Sequence, residues 1–368
     1  MKPRALIFTK RVLPMSNTFV ASQGNGLNKY QPIFIGLRND KTGVSLIENQ
    51  TTCVQENVES FPKLARLLLD GAQILMPKWA ESLSSLNADI IHANFGKGGY
   101  YCSPISKRLE IPLVTTFHGS DITQKDKFSY NSKHRNRVFN SSNKIIAVSK
   151  FIQNKLLKAG CPEDKIIQHY IGIDNDYFSP SLKKEPCPTI LFVGRLIKQK
   201  GCQYLIEAMK TVNKRVPEAK LIIVGYGNYE ETLKDLASNL HNVSFVGAKN
   251  RSQVKELMST SWITCLPSIR MARGNEEGMP TVCVESQAVG TPVVAFDTGG
   301  VGEGISDQET GLLSPEKDSN QLADNLLTLL ESTSLRDKMG QQGITRINDI
   351  FNIKKQTEKL EDIYTSLL

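Results

Sequence analysis

Short apolar runs recur along the chain, separated by longer stretches in which hydrophobic residues have helical spacing. The runs read ALIF, PIFIG, ADIIHA, PLVTTF, KIIAVS and KIIQHY in the first half, then TILFVG, KLIIVG, NVSFVG, WITCLP and TPVVAF. Strands that alternate with helices form parallel sheets in βαβ units, and continuously apolar strands are covered on both faces. The pattern therefore predicts an α/β protein with two doubly wound, Rossmann-like sheets.

The length of 368 residues also favours two domains over a single core. The segment 174–188 holds three prolines, several charges and little apolar periodicity, so it is the best place for a domain boundary. We predict an N-terminal domain over 1–174, a linker over 175–188 and a C-terminal domain over 189–350. Residues 351–368 are predicted to form a helix that returns to the N-terminal domain.

Composition places the chain among ordinary soluble globular proteins, with 40% hydrophobic and 22% charged residues. No apolar run approaches the length of a membrane span, and the start lacks the pattern of a cleaved signal peptide, which predicts a cytoplasmic protein. The seven cysteines are scattered, odd in number and never spaced C-x-x-C, which argues against a disulfide framework and against a zinc site. We expect reduced thiols and no bound metal.

The net charge of +8 is unevenly divided between the two halves. Residues 1–180 carry 23 Lys and Arg against 14 Asp and Glu, whereas residues 181–368 carry 22 against 23. Part of the excess lies between residues 123 and 144, in a basic cluster of Lys125, Lys127, Lys133, Arg135, Arg137 and Lys144. The cluster is either a solvated helix face or a contact surface for an anionic membrane or nucleic acid.

Ligands of parallel sheets bind at the carboxyl ends of the strands, and one such end carries two cations. In FVGRLIKQKG, Arg195 comes one residue after the strand glycine and Lys200 is predicted at the start of the next helix. A guanidinium and an ammonium at this turn suit a bound diphosphate, although an isolated pair is also compatible with ordinary surface cations. The phosphate loop of nucleoside triphosphatases, G-x-x-x-x-G-K-[ST], is absent from this stretch.

The stretch EEGMPTVCVE, residues 276–285, places two carboxylates around a predicted helix start. Gly278 and Pro280 indicate a loop that turns into a helix, whose first amides form a ready anion site. Glu277 precedes that start and Glu285 lies on the second turn, so the pair is either the acid and base of a glycosidase or two hydrogen-bonding clamps. Anion-binding amides between them, with Arg195 and Lys200 nearby in the fold, favour clamps on a sugar nucleotide. Glu276 is expected to face solvent, although an exchange of roles with Glu277 stays open.

With these motifs the chain resembles a family-4 glycosyltransferase of the GT-B fold over nearly its whole length. The resemblance is carried, in order, by TTFHGSD, IGIDNDYFSP, FVGRLIKQKG, LIIVGYGN and EGMPTVCVESQAVGTPVVAFDTGGVGE, which includes an E-x7-E spacing. LPMSNTFVASQ and IIHANFGKGG are more narrowly similar to bacterial enzymes of exopolysaccharide, capsule and lipopolysaccharide biosynthesis.

The resemblance implies two domains facing across a cleft, with a nucleotide-diphosphate sugar bound mainly by the C-terminal domain and an acceptor bound mainly by the N-terminal one. It implies retaining, metal-independent transfer of a hexosyl or N-acetylhexosaminyl group without a cofactor. Catalytic roles fall to His118, Glu277, Arg195 and Lys200. Donor binding falls to Arg195, Lys200, Glu277, Gly278, Met279, Pro280, Thr281, Glu285, Tyr226, Ala248 and Arg251.

Roles follow from position in the motifs. Arg195 and Lys200 would hold the diphosphate, Glu277 the sugar hydroxyls, and Glu285 the ribose hydroxyls. His118 would face the reacting sugar, and the departing phosphate oxygen would take the acceptor's proton. The acceptor side is assigned to Asp121, His92, Ser16 and Thr18, of which His92 is equally compatible with a structural role.

The chain departs from the family pattern at two places. The glycine-rich turn that touches phosphate in many relatives is replaced by TKRVLPMSNTF, where Ser16, Asn17 or Thr18 could serve instead. The loop SIRMARGNEEG carries Arg270 and Arg273, which either read an acidic donor sugar or face solvent.

The acceptor implied by the family is a saccharide, commonly linked to polyprenyl diphosphate. The basic N-terminal domain would then rest on the anionic inner face of the plasma membrane, with no nucleic-acid partner. Two alternatives are a nucleotide-sugar 2-epimerase of the same fold and a non-catalytic basic protein that binds membrane or nucleic acid.

Overall fold

The computed structural model describes residues 2–12, 18–40, 47, 50–124, 132–180 and 183–368. Ser16 and Asn17, and Lys125 and Lys127 of the basic cluster, lie outside the described residues. The chain divides into two compact units, one formed by 1–172 with 353–368 and the other by 173–352. The segment 175–188, predicted as a linker, belongs to the second unit.

Within the described residues, the first unit is built on a seven-stranded parallel sheet with the order β3-β2-β1-β4-β5-β6-β7. The strands are β1 Arg4–Val12, β2 Gln31–Asn39, β3 Thr51–Val54, β4 Ile90–Asn94, β5 Leu113–Phe117, β6 Lys144–Ala147 and β7 Ile166–Gln168. All residues of β4 and β5 are buried. Such burial on both faces explains why these strands are apolar almost throughout.

The helices of the first unit lie between its strands, with one added from the C-terminus. They are α1 Thr18–Asn25, α2 Gln55–Val58, α3 Pro62–Gly71, α4 Pro77–Ser84, α5 Gly96–Leu109, α6 Ser120–Thr123, α7 Ser132–Ser141, α8 Lys150–Lys158 and α16 Ile353–Thr365. The last helix buries Leu360 and Tyr364 in the core of this unit, and Glu361 accepts hydrogen bonds from the backbone N–H groups of Asn28 and Lys29, each 2.6 Å long. The C-terminal helix thereby completes the first unit.

In its described residues the second unit holds a six-stranded parallel sheet with the order β10-β9-β8-β11-β12-β13. Its strands are β8 Thr189–Val193, β9 Lys220–Val224, β10 Val243–Phe245, β11 Ile263–Leu266, β12 Val293–Phe296 and β13 Gly311–Ser314. Its helices are α9 Cys202–Arg215, α10 Glu230–Leu236, α11 Arg251–Thr260, α12 Thr281–Ala288, α13 Val301–Gly304, α14 Ser319–Glu331 and α15 Thr333–Arg346. Successive residues of β12 are all buried, so this sheet is covered on both faces.

Strand order reverses once in each sheet, between β1 and β4 in the first unit and between β8 and β11 in the second. At such a reversal the connections leave toward opposite faces and open a crevice at the carboxyl ends of the strands. The predicted site residues Arg195 and Lys200 follow β8, so they lie at the crevice of the second unit. In the first unit, His92 lies in β4 and His118 directly follows the adjacent strand β5.

Among the described residues, no helix combines the length and the apolar character required to cross a membrane. All seven cysteines are described and carry free thiols, and six of them are buried.

Candidate active site

An ion pair joins the two motifs that the sequence connects with donor binding. Lys200 Nζ lies 2.8 Å from Glu277 Oε1, and the two side chains are only 20% and 14% exposed. Lys200 ends a single 3₁₀ turn, Lys198–Lys200, and α9 begins two residues later, so Lys200 precedes the helix rather than opening it. The structure thus brings an ammonium and a carboxylate together at the end of β8.

Gln199 holds the loop around Glu277 in place, and sequence reasoning missed it. Its buried side chain donates to Glu277 Oε1 over 3.4 Å and accepts from Asn275 Nδ2 over 2.6 Å. Its carbonyl oxygen accepts from the Ile269 N–H at 2.8 Å. Both sides of the 269–277 loop are therefore tied to the turn that carries Lys200.

Glu276 does not face solvent, which corrects the expectation from the sequence. It is 4% exposed, and its Oε2 lies 3.1 Å from Arg270 Nε. Arg270 also donates its backbone N–H to Glu316 at 2.8 Å. The ion pair gives Arg270 a structural role in this loop, while Arg273 is exposed. Of the two adjacent glutamates, Glu277 is the one that contacts Lys200.

Glycines bring the backbone of neighbouring loops close to Glu277 and to Arg195. Gly299, with φ of +58°, lies so near Glu277 that an added Cβ would be 2.4 Å from the Glu277 carbonyl oxygen. Gly225, with φ of +140°, approaches the Gly194 carbonyl in the same way. Only glycine fits such positions, because they combine a positive φ with backbone contact. The loop after β9 thereby packs against the turn after β8, and the loop after β12 packs against the segment that carries Glu277.

Arg195, Tyr226 and Ala248, all assigned to donor binding from the sequence, are exposed on these loops. Arg195 is exposed, and Leu196 N–H donates to the Tyr226 carbonyl at 2.9 Å, which places the two loops side by side. The Tyr226 side chain is 70% exposed, and Ala248 is exposed after β10. These groups are accessible to a ligand at the strand ends.

The helix α12 begins where the sequence predicts, with one difference in detail. Pro280 is the N-cap rather than the first helical residue, and Gly278, Met279 and Pro280 are buried. Thr281, the first helical residue, donates its side-chain hydroxyl to Glu285. The first turn of a helix has no preceding carbonyls within the helix, so this end is electropositive.

Glu285 has an unusual environment for a carboxylate on a helix. Burial raises its pKa from 4.5 to about 7, against the opposing effects of Arg251 and the Thr281 hydrogen bond. The Arg251 guanidinium lies 4.1 Å above the Tyr177 ring, a stacking that positions its charge. The helix of Arg251 starts with a capping box formed by Asn250 and Gln253. A desolvated carboxylate held beside a cation is typical of a binding site.

The raised pKa of Glu285 predicts a pH-dependent stability. Because the folded protein holds this proton more tightly than the unfolded chain, the ionised carboxylate destabilises the fold as pH rises from about 4.5 to 7, and the effect is constant above that. Glu285→Gln should therefore raise the melting temperature of the ligand-free protein at pH 8 but not at pH 4.5. Differential scanning fluorimetry at both pH values tests this, with exposed Glu218→Gln as the control. Equal shifts of the two variants at pH 8 would contradict it.

His118 follows β5 in the first unit and is enclosed by aromatic rings. Its ring centroid lies 4.9 Å from that of Phe19 and 4.5 Å from that of Phe95. Nε2 donates to the Asn94 side-chain oxygen at 3.1 Å, and burial together with His92 lowers the His118 pKa to about 3. The imidazole is therefore neutral at physiological pH, with Nδ1 as the acceptor nitrogen. Nδ1 is buried and has no hydrogen-bond partner in the part of the chain that the structure describes.

Phe95 is strained where it contacts His118. Its φ is +67°, a conformation that costs free energy for an aromatic residue, and it forms the N-cap of α5. Phe19, Phe95 and Asn94 were not singled out from the sequence. For Asn94 and Phe95 the signal was their place directly at the end of the IIHAN strand.

Asp121 positions backbone and does not present a free carboxylate to an acceptor. It accepts from the N–H groups of His118, Gly119 and Gly96 at distances of 2.8 to 3.2 Å. These bonds join the turn after β5 to the start of α5. We therefore revise its assignment from orienting an acceptor to holding His118 in place.

His92 is a core residue, which favours the structural role that the sequence left open beside acceptor binding. It is 1% exposed, and its two ring nitrogens lie 2.6 Å from the hydroxyls of Tyr364 and Thr116. Burial and the charge of His169 lower its pKa to about 3. Its contacts tie the C-terminal helix to the sheet. Thr18, the remaining described candidate on the acceptor side, opens α1 and is partly exposed.

Across the described residues, no three His, Cys, Asp or Glu side chains are grouped so that they could hold a metal ion.

Comparison with known proteins identifies the family of the chain. The model "Glycosyl transferases group 1" matches residues 174–346, and "Glycosyltransferase Family 4" matches residues 41–177. The amylovoran biosynthesis glycosyltransferase AmsK of Erwinia amylovora is 32% identical over 275 residues, which are 72% of this chain and 67% of AmsK. The chain belongs to glycosyltransferase family 4.

A second relative in sequence and a solved structure extend the comparison of this family-4 chain. WcaL of Escherichia coli strain K12, whose name assigns it provisionally to colanic acid biosynthesis, is 30% identical over 65% of the chain and 61% of its own length. The crystal structure of Anabaena HepE in complex with UDP superposes with a TM-score of 0.79 at 19% identity, covering all of both chains. At this identity the likeness shows the fold, and the fold of the family-4 chain is GT-B.

Proposed function

We propose that the protein transfers a sugar from a nucleotide-diphosphate sugar to a saccharide acceptor, with retention of the anomeric configuration, in bacterial surface polysaccharide biosynthesis. The observation that supports this proposal most strongly is the 2.8 Å contact between Lys200 and Glu277 in a partly buried site. A nucleotide-diphosphate sugar has hydroxyl donors on the sugar and oxygens on the phosphate, on either side of the bond that breaks in transfer. An adjacent carboxylate and ammonium match these two groups.

The donor is assigned to the second unit. Lys200 and the exposed Arg195 would bind the diphosphate together with the N-terminal end of α12. Glu277 would accept from hydroxyls of the sugar, and Glu285 from hydroxyls of the ribose. HepE, a protein of the same fold, was crystallised with UDP, which supports a nucleotide at this kind of site.

The countercharge for the leaving diphosphate would come from the protein itself. As the bond between the anomeric carbon and the phosphate oxygen breaks, negative charge develops on that oxygen, beside Lys200 and Arg195. This arrangement supports the proposal that transfer is metal-independent. Whether a hexosyl or an N-acetylhexosaminyl group is transferred depends on the groups around Glu277.

The acceptor hydroxyl would add to the anomeric carbon on the face from which the diphosphate departs. Its proton would pass to the departing phosphate oxygen, so that no separate base is required. His118, neutral and with an unpartnered Nδ1, would accept a hydrogen bond from a hydroxyl of the reacting sugar. A buried acceptor without a partner carries a desolvation cost that such a bond removes.

Product analysis tests the proposal and separates it from a nucleotide-sugar 2-epimerase. Proton NMR of the reaction mixture should show a new glycoside with the anomeric configuration of the donor, formed only when acceptor is present. Release of a free 2-epimer of the sugar nucleotide without acceptor, or a product of inverted configuration, would contradict the proposal.

Attachment to anionic membrane is a second part of the proposal. The basic cluster lies partly on α7, where Lys133 and Arg137 are exposed and Arg135 is partly exposed. We expect replacement of these three by glutamine to weaken binding to anionic vesicles on the order of 100-fold at low salt. A co-sedimentation assay measures this, with Lys107→Gln, Arg108→Gln and Lys158→Gln together as the control. If both triple variants bind like the unaltered protein, the cluster is a solvated face.

A further inference from the structure

A pocket of about 570 Å³ opens at the carboxyl ends of β1 and β2 in the first unit. It adjoins His118, because Phe95 lines the pocket and also contacts the His118 ring at 4.5 Å. Its lining is strongly cationic. Five basic side chains contribute: Lys10, Arg11, Arg38, Lys63 and Arg66. We call this cavity the basic pocket.

The positive charge of the basic pocket is not neutralised by its own lining. Asp70 is the one carboxylate among the described lining residues. It is already bound by Lys97 Nζ at 3.1 Å and by the Tyr101 hydroxyl at 2.9 Å. The lining therefore carries an excess of positive charge, which Asp70 beside Lys10 and Glu56 beside Arg66 offset only in part, and repulsion of this kind favours an anionic ligand.

Two of the cations show the effect of this crowding. Burial lowers the Lys10 pKa, as do the nearby charges of Lys97, Arg38 and Arg11. Burial and Arg38 lower the pKa of Arg66. The Arg66 Nη1 atom is buried and has no hydrogen-bond partner within the described residues. An unpartnered guanidinium N–H in a pocket wall is a donor that a phosphate oxygen would satisfy.

A strip of exposed apolar residues on α3 and its N-cap reaches the basic pocket at Leu67. Phe61, Leu64 and Leu67 are 69%, 47% and 68% exposed, and their spacing of three residues places them along one side of α3 and its start. Leu67 also lines the pocket itself. Exposed leucine and phenylalanine beside clustered cations suit a molecule that joins an anionic head to a hydrocarbon chain.

We propose that the basic pocket binds the diphosphate of a lipid-linked acceptor, whose hydrocarbon chain lies along Phe61, Leu64 and Leu67. The inference rests on the proposed glycosyltransferase function and assigns the acceptor's anionic group to Arg38 and Arg66 with their cationic neighbours. The position beside Phe95 would place the saccharide end of such an acceptor toward His118.

The anion site is tested by calorimetric titration of the full chain with inorganic pyrophosphate and with farnesyl diphosphate. The double variant Arg38→Gln/Arg66→Gln should bind both probes at least about tenfold more weakly, since each charge-assisted hydrogen bond contributes strongly to affinity. The matched control is Lys107→Gln/Arg108→Gln, which removes two exposed cations from the far end of α5. Equal weakening in the two double variants, or no binding of either probe to the unaltered protein, would overturn the proposal.

The difference in affinity between farnesyl diphosphate and pyrophosphate tests whether the ligand of the basic pocket is a lipid. Farnesyl diphosphate should bind more tightly than pyrophosphate. Phe61→Gln/Leu64→Gln, which replaces two exposed apolar residues outside the pocket lining, should reduce that difference while leaving pyrophosphate binding unchanged. Leu157→Gln, on α8, serves as the control for an exposed leucine. Equal affinities for the two probes in the unaltered protein would show that the pocket takes a free phosphate compound and would overturn the assignment to a lipid.

A third titration separates the basic pocket from the donor site. UDP or GDP, whichever binds, should bind Arg38→Gln/Arg66→Gln with the same affinity as the unaltered protein, because the proposed donor site lies in the second unit. A nucleotide affinity that falls in this double variant as strongly as the pyrophosphate affinity would place the donor's diphosphate in the pocket and overturn the acceptor assignment. Absence of nucleotide binding with pyrophosphate binding intact would count against the proposed donor site instead, so the two failures are distinguishable.

Discussion

Lys200→Met is expected to abolish stabilisation by the donor and to lower turnover on the order of 10²- to 10³-fold. The variant removes the cation that would meet the leaving diphosphate, and groups that stabilise developing charge have effects of this size. The variant also removes the ion-pair partner of Glu277, whose side chain is only 14% exposed. Among the described residues, the side-chain contact that remains to its carboxylate is the 3.4 Å hydrogen bond from Gln199. A partly buried carboxylate without its cation is destabilising, so both binding and catalysis should suffer.

Lys198→Met is the matched control for this prediction. Lys198 begins the same 3₁₀ turn and is exposed, so the two variants make the same chemical change two residues apart. Its donor affinity and turnover should stay within about twofold of the unaltered protein, as is usual for exposed positions. A Lys200→Met protein that keeps the turnover of Lys198→Met would remove the ion pair from the mechanism.

His118→Ala should lower turnover on the order of 10²-fold while leaving donor binding nearly unchanged. The imidazole belongs to the first unit, whereas the groups assigned to the donor diphosphate and ribose belong to the second. Loss of one positioned hydrogen-bonding group reduces the rate of the chemical step by factors of this size. Because the pKa of His118 is lowered to about 3, its protonation should produce no step in the pH–rate profile between pH 5 and 8.

Steady-state kinetics and thermal shift measure the two effects separately. His241→Ala replaces an exposed histidine in the second unit and serves as the control. A His118→Ala enzyme with normal turnover would exclude the residue from catalysis. Equal loss of donor stabilisation and of turnover would instead indicate that His118 acts on donor binding or folding.

Most strands of the fold could be predicted from the sequence because they are apolar on both faces. The eleven runs from ALIF to TPVVAF all contain strands of the two sheets. Two edge strands were missed: β3, which reads TTCV, and β13, which reads GLLS. Both are short and partly polar or begin with glycine, so they lack the apolar signal of a central strand.

Residues at strand ends could be located from the sequence, but their partners could not. The sequence placed both Lys200 and Glu277 near a donor. It gave no signal for Gln199, which hydrogen-bonds to Glu277 but lies between two lysines in a polar run. His92 ends a strand like a ligand-binding residue. Its hydroxyl partner Tyr364 is 272 residues away, and only the return of α16 brings the two together.

The charge count along the sequence located the excess of cations in the N-terminal half of the chain but showed only part of their arrangement. Part of the excess of Lys and Arg before residue 180 was assigned to the cluster near α7, where cations are close together in the sequence. The basic pocket instead collects Lys10 and Arg11 from β1, Arg38 from β2 and Arg66 from α3. These residues are far apart in sequence, and the pairing of β1 with β2 places Arg11 directly opposite Arg38.

The most direct test of the account is the binding of nucleotide sugars to the second unit's clamp. In a thermal-shift panel of UDP- and GDP-linked sugars, at least one should raise the melting temperature by several degrees, since a ligand at about 100 times its Kd stabilises the fold by about 2.7 kcal/mol. The shift should vanish in Glu285→Ala and persist in Glu218→Ala. A panel without any shift, or a Glu285→Ala protein that responds like the unaltered chain, would contradict the account.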